Sequence, residues 1–362
     1  MTPTNRPKPQ RFVLLDGLRG IAAVFIIQRH TEELLGDALP SSYLGVDLFF
    51  GLSGFVLAHA YGQILRDGAM TPAAFMKARL LRLYPLYALA LALVIAYYAY
   101  SLAVGRPVFF GQYVIGHELA IGIVTGLLFL PSPVTISFNA ALFLVHPAWS
   151  LFNELVANLA YAWKGARASL RQILVVIAIS LIGLAIAAIQ FDRLHAGFRW
   201  HEMYAGMARV FFSFFVGVLI YRFRRTPMTF RPVAAIACLL VVAAVLAFPT
   251  PKPMKAPFDL VVVVLVWPAL LYAASSIVPG PRIAAIVSFL GTASYAVYVL
   301  HVPLLDWALV VWPSMTEPAI APYAGVAFIT ATVLISWLLT VGLDQPLQRR
   351  LRRRRTRQAT AF

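Results

Sequence analysis

The sequence predicts an all-α, polytopic membrane protein of about ten transmembrane helices plus one re-entrant or interfacial helix, with both termini cytoplasmic. Three observations carry this. Of the 362 residues, 61% are hydrophobic and only 12% are charged, about half the charge of an average soluble chain. Apolar stretches recur from end to end, over a length at which a single soluble core has stopped growing, about 250–300 residues. The basic residues gather in short loops beside those stretches, which is the positive-inside pattern.

Apolar stretches fall near 12–30, 43–63, 80–101, 114–131, 147–163, 171–190, 206–222, 231–248, 258–278, 286–311 and 322–343. Each is near the ~17–25 residues a span needs. The polar intervals near 31–42 and 191–205 are too short to fold alone. The division is therefore a cytoplasmic tail over 1–11, a transmembrane domain over 12–345 and a basic cytoplasmic tail over 346–362. The basic start followed by an apolar run resembles a signal peptide. Asp16 and Arg19 inside the run, with no small-x-small site before Glu32 and Glu33, make it a retained first span.

Loop charge orients the spans. Arg6, Lys8 and Arg11 place the start inside, and the Arg-rich tail through Arg355 places the end inside. Glu32, Glu33 and Asp37 put the first loop outside. Arg66, Lys77, Arg79 and Arg82 put the second inside, as do Lys164, Arg167 and Arg171, and then Arg222, Arg224, Arg225 and Arg231. These assignments agree only if one segment between 101 and 146 does not cross. The segment near 114–131, with His117 and Glu118 at its start and Pro131-Ser132-Pro133 at its end, is expected to be re-entrant or to lie on the outer face. The alternative is an eleventh span.

The net charge of +16 reads as membrane anchoring to anionic lipid rather than as nucleic-acid binding. The lone Cys238 cannot form an intrachain disulfide. No metal site is expected, because His-x-x-x-His and Cys-x-x-Cys pairs are missing. Walker, dinucleotide and Gly-x-Ser-x-Gly motifs are also missing.

Ionisable residues inside spans are expensive and face cavities or partners. Arg19 and His30 stand eleven residues apart, three turns plus ~20°, so they share a helix face ~16 Å apart along the axis. Asp47 begins the second span at the level expected of His30. Either it steers His30 as a general base or it caps its own helix. Gly51, Ser53 and Gly54 follow as small residues that allow close helix packing. Arg79 and Arg82, at i and i+3, make a twin guanidinium suited to phosphate, or plain anchoring charge. Pro85 just beyond them implies a kink or a late helix start. Glu154 and Asn153 lie within an apolar span, after His146 and Trp149. Ser294, Tyr298 and His301 share one helix face before Pro303.

Together these motifs resemble the membrane-bound acyltransferase 3 family of bacterial sugar and polysaccharide O-acyltransferases. The resemblance covers about residues 12–345. It rests on Leu15-Asp16-Gly17-Leu18-Arg19-Gly20 with His30, and on Gly45-Val46-Asp47-Leu48-Phe49-Phe50 through Ser53-Gly54-Phe55. It continues with Arg79-x-x-Arg82-Leu83-Tyr84-Pro85, Trp149-Ser150-Leu151-x-x-Glu154, and Ser294-Tyr295 through Tyr298-x-x-His301-x-Pro303.

The resemblance implies ten spans in the bacterial inner membrane and an acyl donor, acetyl-CoA or another acyl-CoA, used as co-substrate from the cytoplasm. It implies a carbohydrate or glycolipid acceptor at the outer side. Many relatives carry an added extracytoplasmic domain; this chain is expected to rely on a separate protein for any second transfer. On this expectation Arg79 and Arg82 hold the CoA phosphates and Arg19 lines the entry of the pantetheine arm. His30, steered by Asp47, deprotonates the acceptor hydroxyl, directly or through an acyl-His intermediate. Arg19 and His30 are the essential pair of the first span, with Asp47 and Glu154 also catalytic, and Glu154, Trp149, Tyr298 and His301 face the acceptor. The competing expectation is a proton-coupled transporter or flippase whose buried charges line a permeation path.

Overall fold

The structure is a computed structural model that describes residues 11–108, 111–134 and 144–351. The basic stretch Arg352–Arg355 and the N-terminal Arg6 and Lys8 lie outside the described residues. Thirteen helices account for nearly all of it: α1 (Val13–His30), α2 (Glu32–Leu35), α3 (Gly45–Arg66), α4 (Pro72–Val104), α5 (Gly116–Leu127), α6 (Ala148–Trp163), α7 (Leu170–Phe191), α8 (Met203–Phe223), α9 (Pro232–Ala247), α10 (Lys252–Val261), α11 (Trp267–Ala274), α12 (Pro281–Val311) and α13 (Ala321–Leu339). A π-helical turn, Val262–Val266, joins α10 to α11. The described strands are a two-residue parallel pair, β1 (Thr229–Phe230) with β2 (Ile277–Val278). The protein is an all-α polytopic membrane protein.

Among the described residues, seven helical segments are long and apolar enough to cross a membrane. Each of the ten expected spans corresponds to one helix, or to the continuous α10–α11 unit. The 114–131 segment yields only the 12-residue α5, about 18 Å long at 1.5 Å per residue. It packs on α4, where Tyr87 Oη donates to Gly126 O at 2.8 Å and Tyr84 Oη to Leu127 O at 3.0 Å.

Helix direction supports the same conclusion. Gly17 meets Val287, Gly20 meets Leu290, and His30 meets His301, so α1 and α12 run parallel. With the other long helices alternating in direction between them, α1 and α12 are parallel only if α5 does not cross. α3 and α8 are parallel as well, since Asp47 meets Arg209 and His59 meets Tyr221.

Two crossings are close because glycine permits it. A Cβ on Gly20 would sit 2.8 Å from Gly291 N, and one on Gly54 would collide with the Phe214 carbonyl. α1 packs most extensively on α12 and α3 on α8, so the first two helices are fixed to late parts of the chain.

Local signals explain several ends. Thr71 caps α4, accepting from Ala74 N at 3.2 Å with Pro72 at the first position. Ser169 and Gln172 form a capping box on α7. Pro85 does not restart α4, which runs unbroken through it. The carbonyl of Leu81, which loses its donor at Pro85, accepts instead from Gln348 Nε2 at 2.8 Å.

Candidate active site

Two groups of polar side chains lie inside the bundle, one toward each end. At one end three arginines converge. Arg19 donates through Nε to Ser294 Oγ at 2.9 Å, and through Nη2 to Gly291 O at 3.2 Å and Asp16 Oδ1 at 3.3 Å. Arg79 Nη2 donates to Glu154 Oε1 at 3.0 Å, and Ser53 Oγ donates to the same oxygen at 2.6 Å. Arg82 Nη1 donates to Asp344 Oδ2 at 2.6 Å. All three arginines, with Glu154, line a cavity of about 160 Å³. Arg19 and Arg82 also line a more open cavity of about 300 Å³ beside it.

The expected guanidinium pair is thus present at one cavity, with each member already holding its own carboxylate. Two expectations are corrected here. Glu154 was expected among the acceptor groups; it lies on Arg79 instead, because a carboxylate and a guanidinium in a low-dielectric interior stabilise each other. Asp47 does not steer His30. Both its oxygens are taken by Arg209, Nε to Oδ1 at 3.0 Å and Nη2 to Oδ2 at 2.7 Å. Nor does Asp47 cap its helix, since no side-chain cap bond forms at the start of α3. Arg209 also donates to Ala196 O at 2.8 Å and Tyr43 O at 3.2 Å. The pair is fully buried, and it ties α3 and α8 to the loop before α8.

At the other end a chamber of about 560 Å³ is lined by His30, His146, His195, Trp149, Tyr97 and Asp306, among others. His30 Nδ1 lies 3.2 Å from Ile26 O and 3.1 Å from His301 Nε2. His301 Nδ1 lies 2.9 Å from Val297 O. A carbonyl only accepts, so His301 carries its proton on Nδ1 and its neutral Nε2 is an acceptor. His30 Nδ1 therefore carries the proton, shared between Ile26 O and His301. Its Nε2 holds a lone pair that no described residue engages. The group that orients His30 is His301, not Asp47.

Burial pushes the His195 imidazole, in the loop before α8, well below its ordinary range, and the charges of Arg29, Arg193 and Arg209 add to this. Among the described residues no group of three His, Cys, Asp or Glu side chains is placed to hold a metal ion.

The two ends meet at Tyr298. Tyr298 and Val46 line both the arginine cavity and the histidine chamber. Ser150 Oγ lies 3.0 Å from Pro147 O and 2.6 Å from Tyr298 Oη. The serine hydroxyl donates to the carbonyl, so the tyrosine hydroxyl donates to the serine. Phe49 packs edge-on against the same ring at 5.5 Å. Trp149 does line the chamber, although Arg209 lies 5.5 Å from its ring centre.

Arg209, Asp306 and Asp344 escaped the sequence reading. The signal that would have found Arg209 and Asp306 is the one that found Glu154, an ionisable side chain inside an apolar stretch; Asp344 falls just past the 322–343 stretch.

The fold and these cavities define a multi-pass membrane protein with a cationic cavity and a histidine chamber abutting at one tyrosine. The chain belongs to the acyltransferase 3 family: the sequence pattern of its acyltransferase domain matches residues 12–341. It is a membrane acyltransferase. It is also similar to "Protein 2 in picA locus" of Rhizobium radiobacter, at 56% identity over 190 residues, which are 52% of this chain and all of that protein. No solved structure matches.

Proposed function

We propose that this chain is an integral membrane O-acyltransferase. It moves an acyl group, acetyl being the simplest, from cytoplasmic acyl-CoA to a hydroxyl of a sugar, polysaccharide or glycolipid at the far side of a bacterial inner membrane. What carries the reading is His30, with Nδ1 held by His301 and Ile26 O and Nε2 unengaged toward a 560 Å³ chamber that abuts the three-arginine cavity at Tyr298.

The arginine cavity suits the donor. CoA phosphates are anionic, and Arg79 and Arg82 offer charge-assisted hydrogen bonds by exchanging Glu154 and Asp344 for phosphate oxygens. Arg19 lines the inner wall on the way to Tyr298, so the thioester enters past that ring. The acceptor hydroxyl occupies the chamber.

His30 Nε2 takes the hydroxyl proton as the oxygen attacks the thioester carbonyl. The tetrahedral intermediate collapses with cleavage of the C–S bond, and the proton on His30 passes to the departing thiolate. The products are the O-acyl ester and free CoA, and no further reactant is needed. His301 is a positioning residue: its Nε2 fixes the tautomer and accepts from the imidazolium formed during attack. No observation favours a carrier over this chemistry.

The test is acyl transfer from labelled acetyl-CoA in membranes containing the His30→Ala variant. Loss of a positioned base costs about 10²–10⁴-fold. Undiminished transfer at normal protein level discards the assignment.

A further inference from the structure

Asp306 is a carboxylate that neither the fold nor the proposed reaction uses. It lies on α12, five residues beyond His301, about 7.5 Å further along the axis at 1.5 Å per residue. It lines the histidine chamber together with Tyr97 and His30. The other acidic groups inside the bundle are all engaged: Asp47 by Arg209, Glu154 by Arg79, Asp344 by Arg82, and Asp259 by Tyr43 Oη at 2.9 Å and Leu194 N at 2.7 Å. Asp306 takes part in no hydrogen bond or ion pair among the described residues. The chamber reaches Asp306, which stands near Tyr97 and Tyr98, so a molecule that enters the chamber can meet this carboxyl group.

The chemistry of that visitor follows from the site. The neighbouring cations are already committed, Arg29 to Glu32 at 2.9 Å and Arg209 to Asp47. The chamber therefore offers a carboxyl group with two oxygens, beside the aromatic walls of Tyr97 and Trp149. Two adjacent hydroxyls on a sugar ring match a carboxylate with two short O–H···O⁻ bonds, and the ring's C–H faces match the aromatic walls. An anionic group at that position would be repelled.

We propose that Asp306 grips a vicinal diol of a neutral sugar acceptor and so sets which hydroxyl reaches His30 Nε2. This rests on the proposed transfer reaction and adds the means by which its acceptor is recognised. Asp306 is a binding group here.

The experiment uses the full chain in nanodiscs with labelled acetyl-CoA. Methyl glucoside, its 2-, 3- and 4-deoxy analogues and methyl glucosaminide serve as acceptor probes. Wild type, Asp306→Asn, Asp306→Glu and His30→Ala are compared. The expected result is a rise of tenfold or more in KM for methyl glucoside in Asp306→Asn, with kcat changed less than threefold. At least one deoxy analogue should be a tenfold poorer substrate for the wild type and equally good for the variant.

Because Asp306 forms no hydrogen bond or ion pair among the described residues, Asp306→Asn should unfold at the wild-type midpoint. If the variant is destabilised, the loss of deoxy discrimination in Asp306→Glu decides instead. An unchanged KM, a change carried by kcat, discrimination that survives in both variants, preference for the glucosaminide, or no transfer to any probe overturns the proposal. His30→Ala separates the two levels. If it transfers as well as wild type, the reaction itself is wrong. If it is inactive while the Asp306 variants match wild type, only the diol assignment falls.

Discussion

Removing the Asp47 carboxylate should cost stability rather than catalysis. Arg209 is 1% exposed and makes four hydrogen bonds, two of them to Asp47. Asp47→Ala strands that guanidinium beside Trp149 and the α8 core. Breaking one partner of a buried pair costs about 3–5 kcal/mol, whereas replacing both partners with apolar residues of similar size is often neutral. Arg209 also serves two backbone carbonyls, so Asp47→Leu with Arg209→Met should recover only part of the loss, with a coupling of about 2–3 kcal/mol. The assay is reversible unfolding of the purified protein in mixed SDS–detergent micelles, with acyl transfer measured on the folded fraction. That fraction should keep kcat within a few-fold of wild type. A variant of normal stability whose kcat falls by the ~10²-fold or more expected of a disturbed base would show that the carboxylate acts on His30, and the geometric assignment would be wrong.

Other consequences can be checked alongside. His301→Ala should lower kcat about 10–100-fold, within the range for a weakened general base, and a Gln at that position, which still offers an acceptor, should restore part of it; equal loss in both variants would refute tautomer control. Arg82→Lys should raise the KM for acetyl-CoA about tenfold through loss of the fork geometry, while an unchanged KM would remove the arginines from the donor site. Gly54→Leu should destabilise by at least about 1–3 kcal/mol through overpacking against the Phe214 carbonyl, read as a lower unfolding midpoint, and a normal midpoint would contradict the α3–α8 contact. Because the His195 imidazole is held below its ordinary range when folded, the unfolded chain binds the proton first. Stability is then full above about pH 6.5 and falls below it, by up to about 1.36 kcal/mol per pH unit. His195→Gln should flatten that slope between pH 7.5 and 5.5, and an identical slope would refute it.

Much of the fold was legible because a bilayer restricts the alternatives. Each of the ten stretches expected to span has a helix or helical unit, seven of them long and apolar enough to cross a membrane, and the 114–131 segment folds as the short α5. The shared face of Arg19 and His30 was legible too, since helical spacing fixes it locally. What could not be read was pairing across helices. Asp47 looked like a partner for His30 because both belong near one level of the membrane. The group that claims it is Arg209, 162 residues away in sequence. Glu154 stands out as a carboxylate inside an apolar span, which does not identify its neighbour, and its partner Arg79 is 75 residues away. Level along the normal follows from sequence; azimuth around the bundle depends on which helices neighbour each other.

One helix spans the whole route. Gly291 and Ser294 hold Arg19, Tyr298 separates the two cavities, His301 sets the tautomer of His30, and Asp306 stands beyond it, all on α12. The glycine contacts of Gly20 and Gly291 clamp that helix to α1, so both walls bearing the chemistry move as one rigid rail. On the proposed route a thioester passes Tyr298, where Phe49 of α3 and Ser150 of α6 stand against the ring. Cross-links between α1 and α12 should leave turnover intact, and cross-links that fasten α6 to α12 should arrest it.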